Sequence, residues 1–169
     1  MIKDIIYSTI QFILLVLLQV FILDNVALWG FINPMVYIWF IILLPYGTPK
    51  WLTLLSSFLL GICVDIFAGD IGVNAFACVF IAFLRPLLLN SFSGNIDNPT
   101  QRPSISTQGF MNFLLFTISM TLVHHLLCFC ISTFAWAEII QVLLRTLMSS
   151  VITILVILFL DMIFFRKAE

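Results

Sequence analysis

Asp65 and Arg145 are charged side chains set inside long apolar runs, and they bound the chemistry open to this chain. A carboxylate within hydrocarbon needs a partner, a proton or water, and charges at such depth often mark transport pathways. Asp65 belongs to a stripe, Thr53, Ser57, Gly61, Asp65 and Gly69, whose four-residue spacing keeps successive members near one helical face. Small residues on one face let another backbone approach closely. A second stripe runs Gln141, Arg145, Ser149, Thr153 and, after Ile157, Asp161. At about 1.5 Å rise per residue, Asp65 lies about 21 Å from one membrane side and Arg145 about 9 Å from the other. In a core of about 30 Å these depths coincide. An Asp65–Arg145 ion pair is therefore expected, and arginine's fixed fork suits it better than lysine would.

Other polar side chains reach the same level. Thr117, Thr121 and His125 share a face, His124 is adjacent, Asn74 opens another apolar run, and Gln19 lies late in the first. A satisfied interhelical hydrogen-bond network is the favoured reading of this cluster; an outward-facing polar pocket is the alternative. Adjacent histidines diverge by about 100° on a helix, so His124 and His125 do not chelate a metal by themselves. Cys63, Cys78, Cys128 and Cys130 fall in apolar runs, where free cysteine packs as a small hydrophobe, and no metal-site spacing occurs. No catalytic constellation, cofactor motif or basic block suited to nucleic acid is present, so neither an enzyme nor a nucleic-acid binder is expected. Asp161, near the opposite membrane side from Arg145, is expected to answer Arg85, Arg166 or a lipid head group. Trp29, Trp39, Trp51 and Trp136 read as boundary aromatics.

The elements that carry these residues follow from hydropathy. The chain is 63% apolar and only 9% charged, with a mean hydropathy of +1.21, where soluble domains carry about 25% charged residues. So short a chain cannot hide that much apolar surface from water. The apolar runs are Ile5–Leu23, Met35–Leu44, Trp51–Phe67, Ile71–Leu89, Phe110–Phe134 and Ile139–Phe165. A spanning helix needs about 20 residues, so the second run is too short alone. Phe31, Ile32, Pro34 and Pro45 extend it as a broken or re-entrant segment, which requires protein to cover the freed backbone groups. Period-2 alternation is absent, which argues against a membrane barrel. The expected fold is all-α: one integral membrane domain over residues 1–169, with six transmembrane helices, the second short or irregular. Ile5–Leu23 is too long for a signal-peptide core and lacks small residues at its end, so it is expected to be a first membrane helix.

Charge sets the orientation. With six crossings, Lys3, Lys50, Arg102, Arg166 and Lys167 fall on one side, with Arg85 near it, and Asp24, Asp70 and Glu138 on the other. Positive residues favour the cytoplasm, so both termini and the 93–108 connecting loop are expected there. That loop lacks apolar periodicity, and with Gly94, Pro99 and Pro103 it reads as a mobile linker in preference to a contact segment.

A set of short motifs carries a family resemblance. They are Leu18-Gln19, Asn33-Pro34, Leu44-Pro45, Leu60-Gly61-x-x-x-Asp65-x-Phe67, Gly72-x-Asn74-Ala75 and Leu84-Arg85-Pro86. In order and spacing the first half of the chain resembles the MreD family, the small membrane proteins of the bacterial rod-shape machinery; the second half agrees in helix number and length. The resemblance implies a six-helix fold similar to the substrate-binding subunits of energy-coupling-factor transporters, and a non-enzymatic scaffold role in peptidoglycan elongation in the bacterial inner membrane. It implies association with an MreC-like bitopic protein, the RodA glycosyltransferase–transpeptidase machinery and cytoplasmic MreB filaments, besides membrane lipids. It implies no ligand site; Gly61, Asp65, Gly72 and Arg85 match recurrent family positions. The competing class is a small-molecule-binding transporter subunit. Those subunits typically carry an alanine-x-x-x-alanine pattern in the first helix, whereas Ile5–Leu23 contains no alanine.

Overall fold

A chain in lipid must satisfy its own backbone polar groups, and helices do this within one segment. The computed structural model describes residues 2–25, 32–93, 98–133 and 138–165, and among them it is all-helical with no strand. Helix α1 (Ile2–Leu18) runs on without a break into a π-helical turn, Gln19–Leu23. A 3-10 turn, Val36–Ile38, leads into the single-turn helix α2 (Trp39–Ile42). Helices α3 (Lys50–Ala68) and α4 (Val73–Phe92) form a tight hairpin. The short α5 (Ile105–Gln108) precedes α6 (Phe110–Thr133) and α7 (Ile139–Phe164). Trp29, Phe31, Phe134, Trp136, Arg166 and Lys167 lie outside the described residues.

Five of these helices are long and apolar enough to cross a membrane: Ile6–Leu23, Lys50–Ala68, Val73–Phe92, Phe110–Thr133 and Ile139–Phe164. The run Met35–Leu44 is different. It is too short and too irregular to be a sixth membrane-length helix, and it lies in the centre of the bundle. Val36, Tyr37, Ile38, Ile41, Ile42 and Leu43 have no exposed surface at all. Its start is held at the Gln19 end of α1, and its end is joined through Arg102 to Ser8 and Gln11, about two to three turns back along the same helix. The chain thus doubles back through the interior and emerges at Lys50, where α3 begins. Trp39 belongs to this interior stretch, packed against Phe164 and almost wholly buried, so it is not a boundary aromatic.

The same contacts order the two ends of the bundle. The start of α1, the end of α4 (through Arg85) and the last turns of α7 (through Asp161) meet the Leu43–Leu44 and Arg102–Ile105 stretches at one end. The α3–α4 turn and Asp24 lie at the other. Large apolar side chains such as Leu14, Leu55, Phe83, Leu144 and Phe159 cover the outside, as lipid-facing helices require. The 98–108 stretch is not a mobile linker. Tyr46 and Gly47 donate backbone hydrogen bonds to the carbonyls of Gln101 and Pro99, and Pro103 and Ser104 are buried.

Candidate functional site

The α3–α4 hairpin is built on a carboxylate facing a helix start. Gly69, with φ +82°, ends α3 in the left-handed conformation that glycine adopts without cost, and Gly72 (φ +94°) begins α4. Four residues of turn bring the first amides of α4 beside the last turn of α3. Asp65 fills that position. Its Oδ1 accepts from the Asn74 backbone N–H and side-chain amide, both at 2.9 Å, and its Oδ2 accepts from the Gly72 and Ala75 N–H groups, both at 3.0 Å. An α-helix leaves its first N–H groups unpaired and carries partial positive charge there, so an acceptor with full negative charge is well matched. Thr53, Ser57 and Gly61 of the same stripe are buried with Asp65. Ser57 Oγ has no partner among the described residues, so its role here is its small size.

The expected Asp65–Arg145 pair is not formed. Both oxygens of Asp65 are occupied by α4, seven to ten residues along the chain, and local amides satisfy it without a distant guanidinium. Arg145 is half-buried and lies over the Phe129 ring, 4.7 Å from its centroid, a cation–π contact. Depth matched the two residues, but depth does not say which neighbours stand between them.

From Asp65 the network continues inward. Asn74 gives its amide N–H to Asp65, which leaves its oxygen to accept from the Tyr37 hydroxyl at 2.7 Å. The single Tyr37 proton is spent on that bond, so His124 Nε2, 3.1 Å from the same hydroxyl, must be the donor. Cys78 and Cys128 pack around this histidine, with sulfur–nitrogen distances of 3.7 and 3.9 Å. His125 turns the other way. Its Nδ1 is 2.9 Å from the Thr121 carbonyl, which can only accept, so Nδ1 carries the proton and Nε2 faces Thr153 Oγ1 at 3.2 Å. The two rings, 5.7 Å apart at their centroids, thus serve different elements. An amide does not relay protons as a hydroxyl or imidazole does, so Asn74 interrupts any path from Asp65 to Tyr37. Among the described residues no group of three His, Cys, Asp or Glu is arranged to hold a metal.

The interior segment is the object that this network holds. Its leading N–H groups have no helical partners, and side chains from α1 and α7 supply acceptors. Asn33 N–H donates to Ser149 Oγ and Met35 N–H to Thr153 Oγ1, both at 3.1 Å, and Val36 N–H donates to Gln19 Oε1 at 3.0 Å. Gln19 also gives its amide N–H to the Pro34 carbonyl and to Asp24. Burial raises the Asp24 carboxyl above the usual carboxylate range, and the bond from Gln19 partly offsets this. The trailing carbonyls meet two guanidinium groups. Arg85 donates to Leu44 and, at 3.5 Å, to Ile42; Arg102 donates to Leu43 at 3.1 Å. Acceptors gather at the start and cations at the end, which is the polarity that a short helix demands.

Asp161 repeats the device of Asp65. Its Oδ2 accepts from the Ile105 N–H at 2.9 Å, where α5 begins, while its Oδ1 is buried with no partner among the described residues; it does not pair with Arg85, and Arg166 lies outside those residues. Ser104 completes a capping box on the same short helix.

Sequence reasoning did not single out Tyr37, Arg102 or Thr153 as partners of the interior segment. Tyr37 carried a signal, being the one hydroxyl within Met35–Leu44, and Arg102 was the only cation of its loop. Gln19, Asn74, Thr117, Thr121, His124 and His125, considered as the lining of an outward pocket, are buried, at most 7% exposed. The arrangement anchors a backbone segment. No protein-family model, curated protein or solved structure matches this chain.

Proposed function

We propose that this protein is a non-enzymatic membrane scaffold of the MreD type, working in the bacterial inner membrane with both termini in the cytoplasm. It binds the transmembrane helices of an MreC-like partner and of the peptidoglycan-elongation machinery. The observation that carries this reading is where the polar residues go. The motif positions behind the family resemblance form two linked sets: Gln19 and Arg85 bind the interior segment at Pro34, Val36, Ile42 and Leu44, while Gly61, Asp65, Gly72, Asn74 and Ala75 join α3 to α4, with Asn74 reaching the segment at Tyr37. Polarity is spent on rigidity inside, and the outside is left to lateral contact through packing. The burial of the polar cluster favours this reading over a transporter subunit, which needs an open ligand site.

The test pairs two measurements on protein at native expression. Affinity capture from native membranes is expected to recover a bitopic partner, with crosslinks at lipid-facing positions such as Leu55 or Leu144, and depletion is expected to disturb rod shape. Tight binding of a vitamin-sized ligand with transport, and no partner captured, would overturn the reading.

A further inference from the structure

Arg85 carries a charge that no carboxylate among the described residues neutralises. It is 4% exposed, its Nη2 is directed to the carbonyls of Ile42 and Leu44, and its Nε is buried with no hydrogen-bond partner. A buried cation at this depth is costly without a counter-ion. Beside it, between α3 and α4, opens a pocket of about 540 Å3. Its polar lining is Tyr46, Thr48, Lys50, Thr53, Arg85 and Asn90, with no acidic residue. The start of α3, a 19-residue helix, borders it, and no side chain caps that start. Two cations and the positive end of a helix therefore face one space with no anion among the described residues.

The other walls are apolar. Leu54, Phe83 and Leu87 line the pocket, and Phe83 and Leu87 are 69% and 63% exposed on the outer face of α4. A ligand here meets cations at its head and a lipid-facing groove along its tail. A free phosphate uses only the first feature. A zwitterionic head brings a cation of its own, for which no carboxylate is found among the described lining residues.

We propose that this pocket holds the phosphate of an anionic phospholipid, with Lys50 and Arg85 as its counter-charges and one acyl chain lying along Phe83 and Leu87.

The full chain, purified in detergent, is offered phosphatidylglycerol or phosphatidylcholine at equal concentration, and bound lipid is counted by native mass spectrometry. Phosphatidylglycerol is expected to be retained preferentially. Lys50→Gln should lower that retention about five-fold, the worth of one cation at an anionic surface. Asn90→Asp, which adds a negative charge to the lining of the same pocket, should lower it as well and serves if the first variant folds poorly. Thermal midpoints in phosphatidylcholine, unchanged from the parent, identify variants that fold. Arg85 itself is left intact because it holds Leu44. Equal retention of the two lipids, or retention indifferent to both folded variants, overturns the proposal. Displacement of the lipid by millimolar inorganic phosphate also overturns it, in favour of a site for free phosphate.

Discussion

Gly61 stands closer to Ala75 than any side chain would permit. A Cβ built on Gly61 would lie 2.4 Å from the Ala75 Cα and 2.6 Å from its nitrogen. One turn further along α3, Asp65 accepts the N–H of that same alanine. The close approach and the carboxylate cap are thus one construction: the missing side chain brings the helices together, and the cap needs them at that distance.

The first prediction follows from the sign of two opposed effects. Alanine is favoured over glycine within a helix by about 1 kcal/mol. The contact at Gly61 is with backbone atoms, which cannot rotate away, and overpacking costs about 1–3 kcal/mol. Gly61→Ala is therefore expected to lower the thermal unfolding midpoint in detergent, and Gly61→Leu to prevent recovery of folded protein. A midpoint raised by the alanine would show that α3 and α4 are less closely packed.

Asp65 provides the second. Asp65→Ala strands N–H groups at the start of α4 and is expected to cost on the order of 3 kcal/mol. Asp65→Asn keeps the shape but turns an N–H toward those donors, so it should recover little. Because Arg145 touches neither oxygen, the losses from Asp65→Ala and Arg145→Ala should add within about 0.5 kcal/mol. A coupling well beyond that in denaturation of the double variant would restore the ion pair.

These two cases mark what sequence could and could not resolve. The membrane class, the helical elements and the buried parts of the stripes, Thr53 to Asp65 and Ser149 to Asp161, follow from composition and four-residue spacing, because hydrophobicity and periodicity are local properties; the stripe ends Gly69 and Gln141 are exposed. The broken character of Met35–Leu44 also follows, from its length. Partners do not, because a stripe names a face and a depth but not what stands opposite. Yet Asp65 had a local signal in hindsight. A carboxylate four residues before Gly69, with Gly72 beginning the next helix, sits within reach of that helix's first amides. The docking of the 98–108 stretch had no such signal: its anchors, Tyr46, Gly47 and Asp161, are more than fifty residues away in sequence.

The third prediction concerns orientation. The clustering of the α1 start, the α4 end and the α7 end at one end of the bundle accords with the one-sided placement of Lys and Arg. Thr100 and Asp70 are both exposed, at opposite ends. In a cysteine-free background, Thr100→Cys should react with a membrane-impermeant maleimide only after the cells are opened, and Asp70→Cys should react in intact cells. The reverse pattern would place both termini outside.

The last prediction tests whether Arg102 is what holds the docked stretch. Its guanidinium donates to Ser8 Oγ at 2.9 Å, to Gln11 Oε1 at 3.4 Å and to the Leu43 carbonyl, and it lies 4.6 Å from the centre of the Tyr7 ring. One planar group therefore ties the loop to α1 and to the end of the interior segment together. Lysine offers a single ammonium on a flexible stem and cannot span both with fixed geometry. Charge-assisted hydrogen bonds contribute about 1.5–3 kcal/mol, and 1.4 kcal/mol is a factor of ten in an opening equilibrium. Arg102→Ala should accordingly speed hydrogen exchange across residues 98–108 by about ten-fold or more, with Arg102→Lys between the parent and the alanine variant. Exchange in the centres of α4 and α6 should change far less, since their packing does not pass through Arg102. Unaltered exchange in 98–108 would mean that the backbone bonds of Tyr46 and Gly47 suffice. A uniform rise across all helices would instead make Arg102 a support of the whole bundle, acting through the carbonyl of Leu43.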